Sequence, residues 1–300
     1  MKSCFKQIKI FLFLAILTIP FCMMAAQGKT ADSPSPGDTR THTVLVSINP
    51  YKYLVNRIAG KTLRAVVLVP PGSNMHTYEP TPKQIMQASK ADIWLITGES
   101  FEEKVHPSLE SYNPQMARID LREGIDLICA PEHHGCKHCS KGCDLHYWLS
   151  PRIMAEQAKI VAKELKKKYP EHSRLYEANL RKFTKDLEIL DDEFETFLAP
   201  LKDRAIFVSH PAYGYLARDY NLSQYTIEFE GKDPTPKQLT AILKTAREHN
   251  IKTVFIQKQY NNKGARLVAD ELNADLVELD PYADDYILEM RRIAARFAGK

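Results

Sequence analysis

One long segment sets the architecture of this chain: EHSRLYEANLRKFTKDLEILDDEFETFL, residues 171–198. It contains neither glycine nor proline, and its apolar residues recur every three or four positions, as on one face of an α-helix. These apolar residues are Leu180, Phe183, Leu187, Leu190, Phe194 and Phe197. At 1.5 Å per residue the helix would measure roughly 42 Å, which is longer than one lobe requires. We therefore predict a linker helix over residues 171–200 that joins two lobes.

On either side of this helix, short apolar runs alternate with helical patterns. The runs predicted to be strands are residues 44–48, 63–69, 92–97, 205–209, 253–257 and 275–279. The segments with helical spacing are residues 51–59, 82–89, 152–168, 238–248, 264–273 and 284–297. Strands that alternate with helices predict βαβ units and mostly parallel sheets. The predicted fold class is α/β, with an N-terminal lobe over residues 43–170 and a C-terminal lobe over residues 201–300.

Two motifs of the first lobe recur in the second. VSINPYKYL (46–54) is echoed by VSHPAYGYL (208–216), and YEPTPKQI (78–85) is echoed by GKDPTPKQL (231–239). Because the two echoes come in the same order, they indicate two lobes of one design.

The start of the chain has the pattern of a secretory signal. Three early lysines precede an apolar run at residues 10–21, which is about 12 residues long and too short to span a membrane. Small residues before position 27 fit cleavage after Ala26, so residues 1–26 are predicted to be a signal peptide. The alternative is lipid attachment at Cys22. In both cases the protein would be exported, which predicts a periplasmic location.

Charge and composition narrow the function classes. Residues 27–42 are rich in Ser, Pro, Asp and Thr, which predicts a flexible spacer.

Removing residues 1–26 takes away three lysines and no acid, so the formal net charge falls from +4 to +1. A nearly neutral chain gives no electrostatic reason to expect nucleic acid as a partner.

A short segment at residues 129–143, CAPEHHGCKHCSKGC, concentrates cysteine and histidine. Its candidate ligands for a second metal ion are His133, His134, Cys136, His138, Cys139 and Cys143. The alternative is one or two disulfides, because the cysteines would lie in an oxidising compartment. The residues alone leave both interpretations open.

Four other candidate ligands follow predicted strands or precede a predicted helix: His76, His146, His210 and Asp280. In parallel sheets, ligands collect at the carboxyl ends of the strands, so we expect these side chains to meet in the cleft between the lobes. A single histidine of this kind more often serves as a hydrogen-bonded cleft residue, and an Asp-Pro pair after a strand commonly only begins a turn. It is the shared position of the four that favours a metal site.

Three imidazoles and one carboxylate make a filled four-coordinate shell suited to Zn²⁺. A catalytic zinc site would keep an open position for water beside a general base, and the chain has no HExxH motif. The sequence therefore predicts a metal-binding protein and not an enzyme.

The motifs around these residues resemble those of the metal-binding subunits of bacterial ABC importers for zinc and manganese, the cluster A-I solute-binding proteins. The resemblance covers residues 43–298. It rests on HTYEPTP (76–82), DLHYWLSP (144–151), VSHPAYGYL (208–216), EGKDPTPKQL (230–239) and LDPYADDY (279–286). It implies two (β/α) lobes joined by one long helix, a metal ion buried between them, and the ligands His76, His146, His210 and Asp280.

Within this family, a histidine at the position of His210 is typical of zinc-type members. The implied function is a periplasmic high-affinity Zn²⁺ receptor, a monomer, which delivers the ion to a membrane permease with a cytoplasmic ATPase. The chain itself has no P-loop motif for ATP. The alternative is a receptor for Mn²⁺ or Fe²⁺ of the same family, with a further role as an adhesin. Zinc-type relatives carry a His- and acid-rich loop where this chain has the shorter, cysteine-containing segment 129–143.

Overall fold

The computed structural model describes residues 42–129, 142–201, 203–229 and 232–300, and in these it contains two parallel four-stranded sheets. The first sheet, in the order β2-β1-β3-β4, consists of β1 (His42–Val46), β2 (Leu63–Val67), β3 (Ile93–Ile96) and β4 (Ala117–Asp120). The second, in the order β6-β5-β7-β8, consists of β5 (Ala205–Val208), β6 (Ser223–Thr226), β7 (Thr253–Ile256) and β8 (Asp275–Glu278). The equal strand order agrees with two lobes of one design.

Helices connect the strands in both lobes. The helices of the first lobe are α1 (Asn49–Ala59), α2 (Pro82–Ala88), α3 (Ser100–Tyr112) and α4 (Pro151–Lys168). Those of the second are α6 (Gly214–Asp219), α7 (Pro236–Glu248), α8 (Lys263–Leu272) and α9 (Tyr286–Phe297). No helix of the described part of the chain is long and apolar enough to cross a membrane.

The predicted linker helix is present as α5 (Ser173–Leu198), 26 residues long, after a 3₁₀ turn at Pro170–His172. It contacts α1 and α4 of the first lobe and α9 of the second. Its buried side chains are Tyr176, Phe183, Leu187, Leu190, Phe194 and Leu198. The α/β fold with two parallel-sheet lobes and one long helix is therefore confirmed, while lobe limits at residues 170 and 200 stay a prediction.

One continuous apolar core extends through both lobes. It includes Trp94 of the first sheet, Trp148 ahead of α4, Phe183 of α5 and Val208 of the second sheet. A smaller cluster around Phe207, on the other face of the second sheet, is separate.

The repeated PTPKQ motif begins a helix in the same way in each lobe. Thr81 precedes α2 and Thr235 precedes α7, and each side chain accepts a hydrogen bond from the backbone N–H of the glutamine three residues on. In return, each glutamine Oε1 accepts a hydrogen bond from the backbone N–H of the threonine. This reciprocal capping box satisfies backbone donors that the first turn of a helix leaves unpaired.

Some sequence predictions lie outside the described residues. These are the signal peptide (1–26), the alternative lipid site at Cys22 and almost all of the spacer (27–42). The last residue of the predicted spacer, His42, is the first residue of β1, and the spacer itself stays a prediction.

Candidate metal centre

Three of the four predicted ligands meet at one point. His76 lies in the loop between β2 and α2, His146 comes directly before the 3₁₀ turn Tyr147–Leu149 that leads into α4, and His210 follows β5 by two residues. Their Nε2 atoms are 3.2 Å (His76 to His146), 3.3 Å (His76 to His210) and 3.2 Å (His146 to His210) apart. The first lobe thus supplies two imidazoles and the second supplies one.

The triangle of Nε2 atoms has the size of one face of a tetrahedral zinc shell. With Zn–N bonds of about 2.0 to 2.1 Å, neighbouring nitrogens of a tetrahedron lie about 3.3 to 3.4 Å apart. The site is also shielded from water: His146 and His210 are buried, and the side chain of His76 is 31% exposed. The three residues therefore fit a zinc ion without rearrangement of their rings.

Each of the three histidines has a carboxylate on its other ring nitrogen. The contacts from Nδ1 are to Glu99 Oε2 (3.0 Å, His76), Asp144 Oδ1 (2.8 Å, His146) and Glu228 Oε1 (2.5 Å, His210). A carboxylate that accepts the Nδ1 proton leaves the lone pair of the neutral imidazole on Nε2 and makes this nitrogen more basic. All three Nε2 atoms are thereby prepared to bind a cation.

The sequence analysis missed these three carboxylates as partners of the histidines. Glu99 follows β3 and Glu228 follows β6, so both occupy strand ends like the histidines, and Asp144 lies two residues before His146. An acidic residue at a strand end was the signal that could have identified them.

Burial and charge set the protonation of the site. Burial, together with the charges of His146 and His76, lowers the pKa of His210 far below its usual range, so this imidazole stays neutral. Burial also opposes protonation of His76, but the hydrogen bond and the charge of Glu99 outweigh it and raise its pKa. Burial raises the pKa of Glu228 to about 7, against the opposing charge of His76.

Aromatic rings hold the histidines and connect the lobes. The ring of Tyr260 stacks on His210 with centroids 3.9 Å apart, and its hydroxyl lies 2.7 Å from that of Tyr282. The ring of Trp148 lies beside His146, and its Nε1 donates a 2.9 Å hydrogen bond to the carbonyl of Pro281 in the second lobe. These contacts fix the ring planes before any ion binds.

The fourth predicted ligand, Asp280, is not part of the group of three, whose ligand nitrogens all lie within 4.8 Å of one another. Its Oδ2 lies 2.6 Å from Lys258 Nζ, and its Oδ1 accepts hydrogen bonds from Gln259 Nε2 (2.6 Å) and from the backbone N–H of Tyr282 (3.1 Å). The bond to Tyr282 is the turn-forming contact that an Asp-Pro pair commonly makes. A role for Asp280 as a ligand therefore stays a prediction.

In the segment 129–143, the structure contains a disulfide between Cys129 and Cys143. For Cys143 it therefore has the disulfide and not the predicted metal ligand. A sulfur in a disulfide is not a thiolate, and the thiolate is the form that binds metal. The other candidate ligands of a second site, His133, His134, Cys136, His138 and Cys139, lie outside the described residues.

Known proteins share both the fold and much of the sequence. A crystal structure of ZnuA is 36% identical to this chain, with a TM-score of 0.81 over 86% of this chain and 98% of that one. A deletion mutant of ZnuA with zinc bound is also 36% identical, with a TM-score of 0.79 over 86% and 96% of the two chains. The high-affinity zinc uptake system protein ZnuA of Bacillus subtilis is 29% identical, over 87% of this chain and 85% of its own.

A family model agrees with these likenesses. It carries the description "Zinc-uptake complex component A periplasmic" and matches residues 44–299, which include both lobes and the linker helix. The chain therefore belongs to the ZnuA family of metal-binding, solute-binding receptor proteins.

Proposed function

We propose that this protein is a periplasmic receptor that captures Zn²⁺ with high affinity for an ABC importer. The observation that carries the proposal is the convergence of three Nε2 atoms, each on an imidazole whose Nδ1 meets a carboxylate. Such carboxylate–histidine pairs are the usual outer partners of zinc ligands in proteins.

The choice of zinc follows from the chemistry of the donors. A shell of neutral imidazoles favours Zn²⁺ over Mn²⁺, because affinities for nitrogen ligands rise along the divalent series towards copper and zinc. His76, His146 and His210 form the primary shell, and Asp280 supplies the fourth ligand. The ion and its four ligands together carry a formal charge of +1, and protein fills all four ligand positions, which leaves no place for a catalytic water.

The proposal includes a route for the ion. Residues 1–26 direct export, with lipid attachment at Cys22 as the alternative. The loaded monomer then delivers Zn²⁺ to a membrane permease, and a separate cytoplasmic ATPase drives transport.

A competition experiment tests the metal. The metal-free protein is titrated with Zn²⁺ in the presence and absence of excess Mn²⁺, and we expect Zn²⁺ to displace Mn²⁺ fully. Preference for Mn²⁺ would instead favour the alternative function, a receptor of the same family for Mn²⁺ or Fe²⁺ with a further role as an adhesin.

A substitution tests the site. His210→Ala should lower Zn²⁺ affinity by more than the about 10- to 100-fold expected for loss of an outer partner, because it removes a ligand itself. The control is His172→Ala, which removes a half-exposed imidazole at the start of α5. Unchanged affinity in His210→Ala, with a native circular dichroism spectrum, would refute the assignment of this site.

A further inference from the structure

The carboxylate of Asp280 is fully engaged in the structure, and its strongest partner is a lysine. Lys258 follows β7 by two residues, and its ammonium nitrogen lies 2.6 Å from Oδ2, while Gln259 and the backbone of Tyr282 occupy Oδ1. The Asp280 side chain is 20% exposed, whereas that of Lys258 is 47% exposed. A largely buried carboxylate is thus paired with a cation that reaches it from the solvent side.

Asp280 cannot keep this position and also bind an ion held by the three histidines. Its oxygens lie outside the group of ligand atoms that are mutually within 4.8 Å, and a Zn–O bond measures about 2.0 to 2.2 Å. To ligate, the carboxylate has to turn towards the Nε2 atoms and give up its contact with Lys258.

We propose that Lys258 competes with the metal ion for Asp280, so that capture exchanges the ammonium for the ion and release reverses the exchange. The inference rests on the proposed function of this site in metal capture. It assigns Lys258 as a positioning residue that sets the affinity and the rate of release.

Charge pairing explains why such an exchange suits the site. A buried carboxylate without a cation is costly, because it has lost the solvation of water and has gained no partner. Lys258 supplies the partner when no ion is bound, and the ion supplies it afterwards. The displaced ammonium is already half exposed, so returning it to water costs little.

The test compares three metal-free full-length proteins: the wild type, the variant Lys258→Met and the variant Lys258→Arg. Zn²⁺ affinity is measured by competition with a chromophoric chelator, and release is measured by stopped flow into excess EDTA. Since exposed and half-exposed ion pairs are weak, we expect Lys258→Met to bind Zn²⁺ roughly threefold to tenfold more tightly and to release it correspondingly more slowly. Lys258→Arg keeps a cation for Asp280 and should behave like the wild type.

Two controls separate competition from simple charge repulsion. Lys252→Met removes an equal charge from an exposed lysine directly before β7 and should leave affinity unchanged. In an Asp280→Asn background the carboxylate is absent, so adding Lys258→Met should have no further effect on affinity or release.

Tightening that persists in the Asp280→Asn background would overturn the proposal, because it would show a general effect of charge on the cation. Equal or weaker binding by Lys258→Met would also overturn it. If the wild type itself failed to bind Zn²⁺, the proposed function would fail. If the wild type bound tightly and Lys258→Met did not tighten, only the exchange would fail.

Discussion

At the scale of single residues, the centre of this molecule is a triangle of nitrogen lone pairs. Three Nε2 atoms that are 3.2 to 3.3 Å apart repel one another unless a proton or a metal cation lies between them. The carboxylates on the three Nδ1 atoms stabilise this arrangement, because they fix the ring orientation and favour a positive charge at the centre. The site is organised for a cation before the cation arrives.

The outer carboxylates should matter almost as much as the ligands. Glu228→Gln keeps the size of the side chain but removes the charge that holds His210, so we expect Zn²⁺ affinity to fall by about 10- to 100-fold. Chelator competition measures the change. The matched control is Glu278→Gln, at an exposed position at the end of β8, which should bind like the wild type. Equal losses in both variants would point to net charge and would argue against a specific contact.

Zinc affinity should fall on acidification. Glu99 raises the pKa of His76 above its usual value, and burial raises the pKa of Glu228 to about 7, so acidification protonates both groups. Protonated His76 cannot ligate, and neutral Glu228 no longer places a negative charge beside Nδ1 of His210, so affinity is highest above these pKa values and falls below them. Each displaced proton costs up to about tenfold in affinity per pH unit.

The measurement is a series of competition titrations between about pH 8 and pH 6, with the indicator calibrated at each pH. His210 should contribute no proton of its own, because its pKa lies far below this range. A flat profile would contradict the assignment of His76 as a ligand.

The residues of the site could be predicted only in part. Strand-end positions identified His76, His146 and His210, and the structure brings these together. The same reasoning selected Asp280 but gave no hint of Lys258, because a lysine two residues beyond a strand normally lies in solvent. Sequence position gives the edge of a sheet on which a side chain lies, and packing determines which neighbour it meets.

At the scale of elements, the sequence patterns missed two helices and two strands. The elements α3, β4, α6 and β6 were not predicted. Pro107 interrupts the helical pattern of α3, whose sequence is SFEEKVHPSLESY, and α6 has only 6 residues. The strands β4 (ARID) and β6 (SQYT) are edge strands of their sheets, and half or more of their residues are polar. Parallel pairing with apolar neighbours makes them strands, and this is tertiary information.

The linker helix α5 offers a paired test of burial. Leu190 is fully buried, whereas its neighbour Ile189 is 40% exposed. We expect Leu190→Ala to lower the free energy of unfolding by about 2 to 5 kcal/mol, because it leaves a cavity in the core that the two lobes share. Ile189→Ala should cost much less, about 0.5 kcal/mol.

Urea unfolding of the metal-free protein gives both changes in the free energy of unfolding from the shifts in the urea midpoints, provided that the variants and the wild type share the same slope of free energy against urea concentration. Similar losses in the two variants would contradict the burial of one face of α5. A lower slope in Leu190→Ala alone would indicate that the lobes unfold separately.

At the scale of the whole molecule, the two residues that flank the segment 130–142 lie next to each other. The Cα atoms of Cys129 and Cys143 are 3.9 Å apart, close to the about 3.8 Å that one peptide bond spans. Residues outside the segment hold Asp144: its backbone N–H donates to the carbonyl of Ile128, and its own carbonyl accepts from the hydroxyl of Tyr215.

Deleting residues 130–142, with Cys129 and Cys143 replaced by serine, should therefore leave one tight Zn²⁺ site intact. The full chain with the same two serines is the control for loss of the disulfide. Calorimetric titration gives the number of ions bound and the affinity of each. Loss of all tight binding in the deletion alone would show that the main site had been misplaced. A second ion bound only by the control would assign metal binding to the segment.

The continuous core affects how a metal ion could enter and leave the site. Moving the two sheets apart would expose apolar side chains from Trp94 to Val208 to water, at roughly 25 cal/mol for each Å². Burial of this core therefore opposes wide opening, and under the proposed function an ion would reach the histidines through the loops that carry them. His76 has the most accessible of the three imidazoles, at 31% against 6% for His146 and 10% for His210. In the proposed site, His76 is therefore the imidazole that water reaches first, and the loop between β2 and α2 is the expected entrance for the ion.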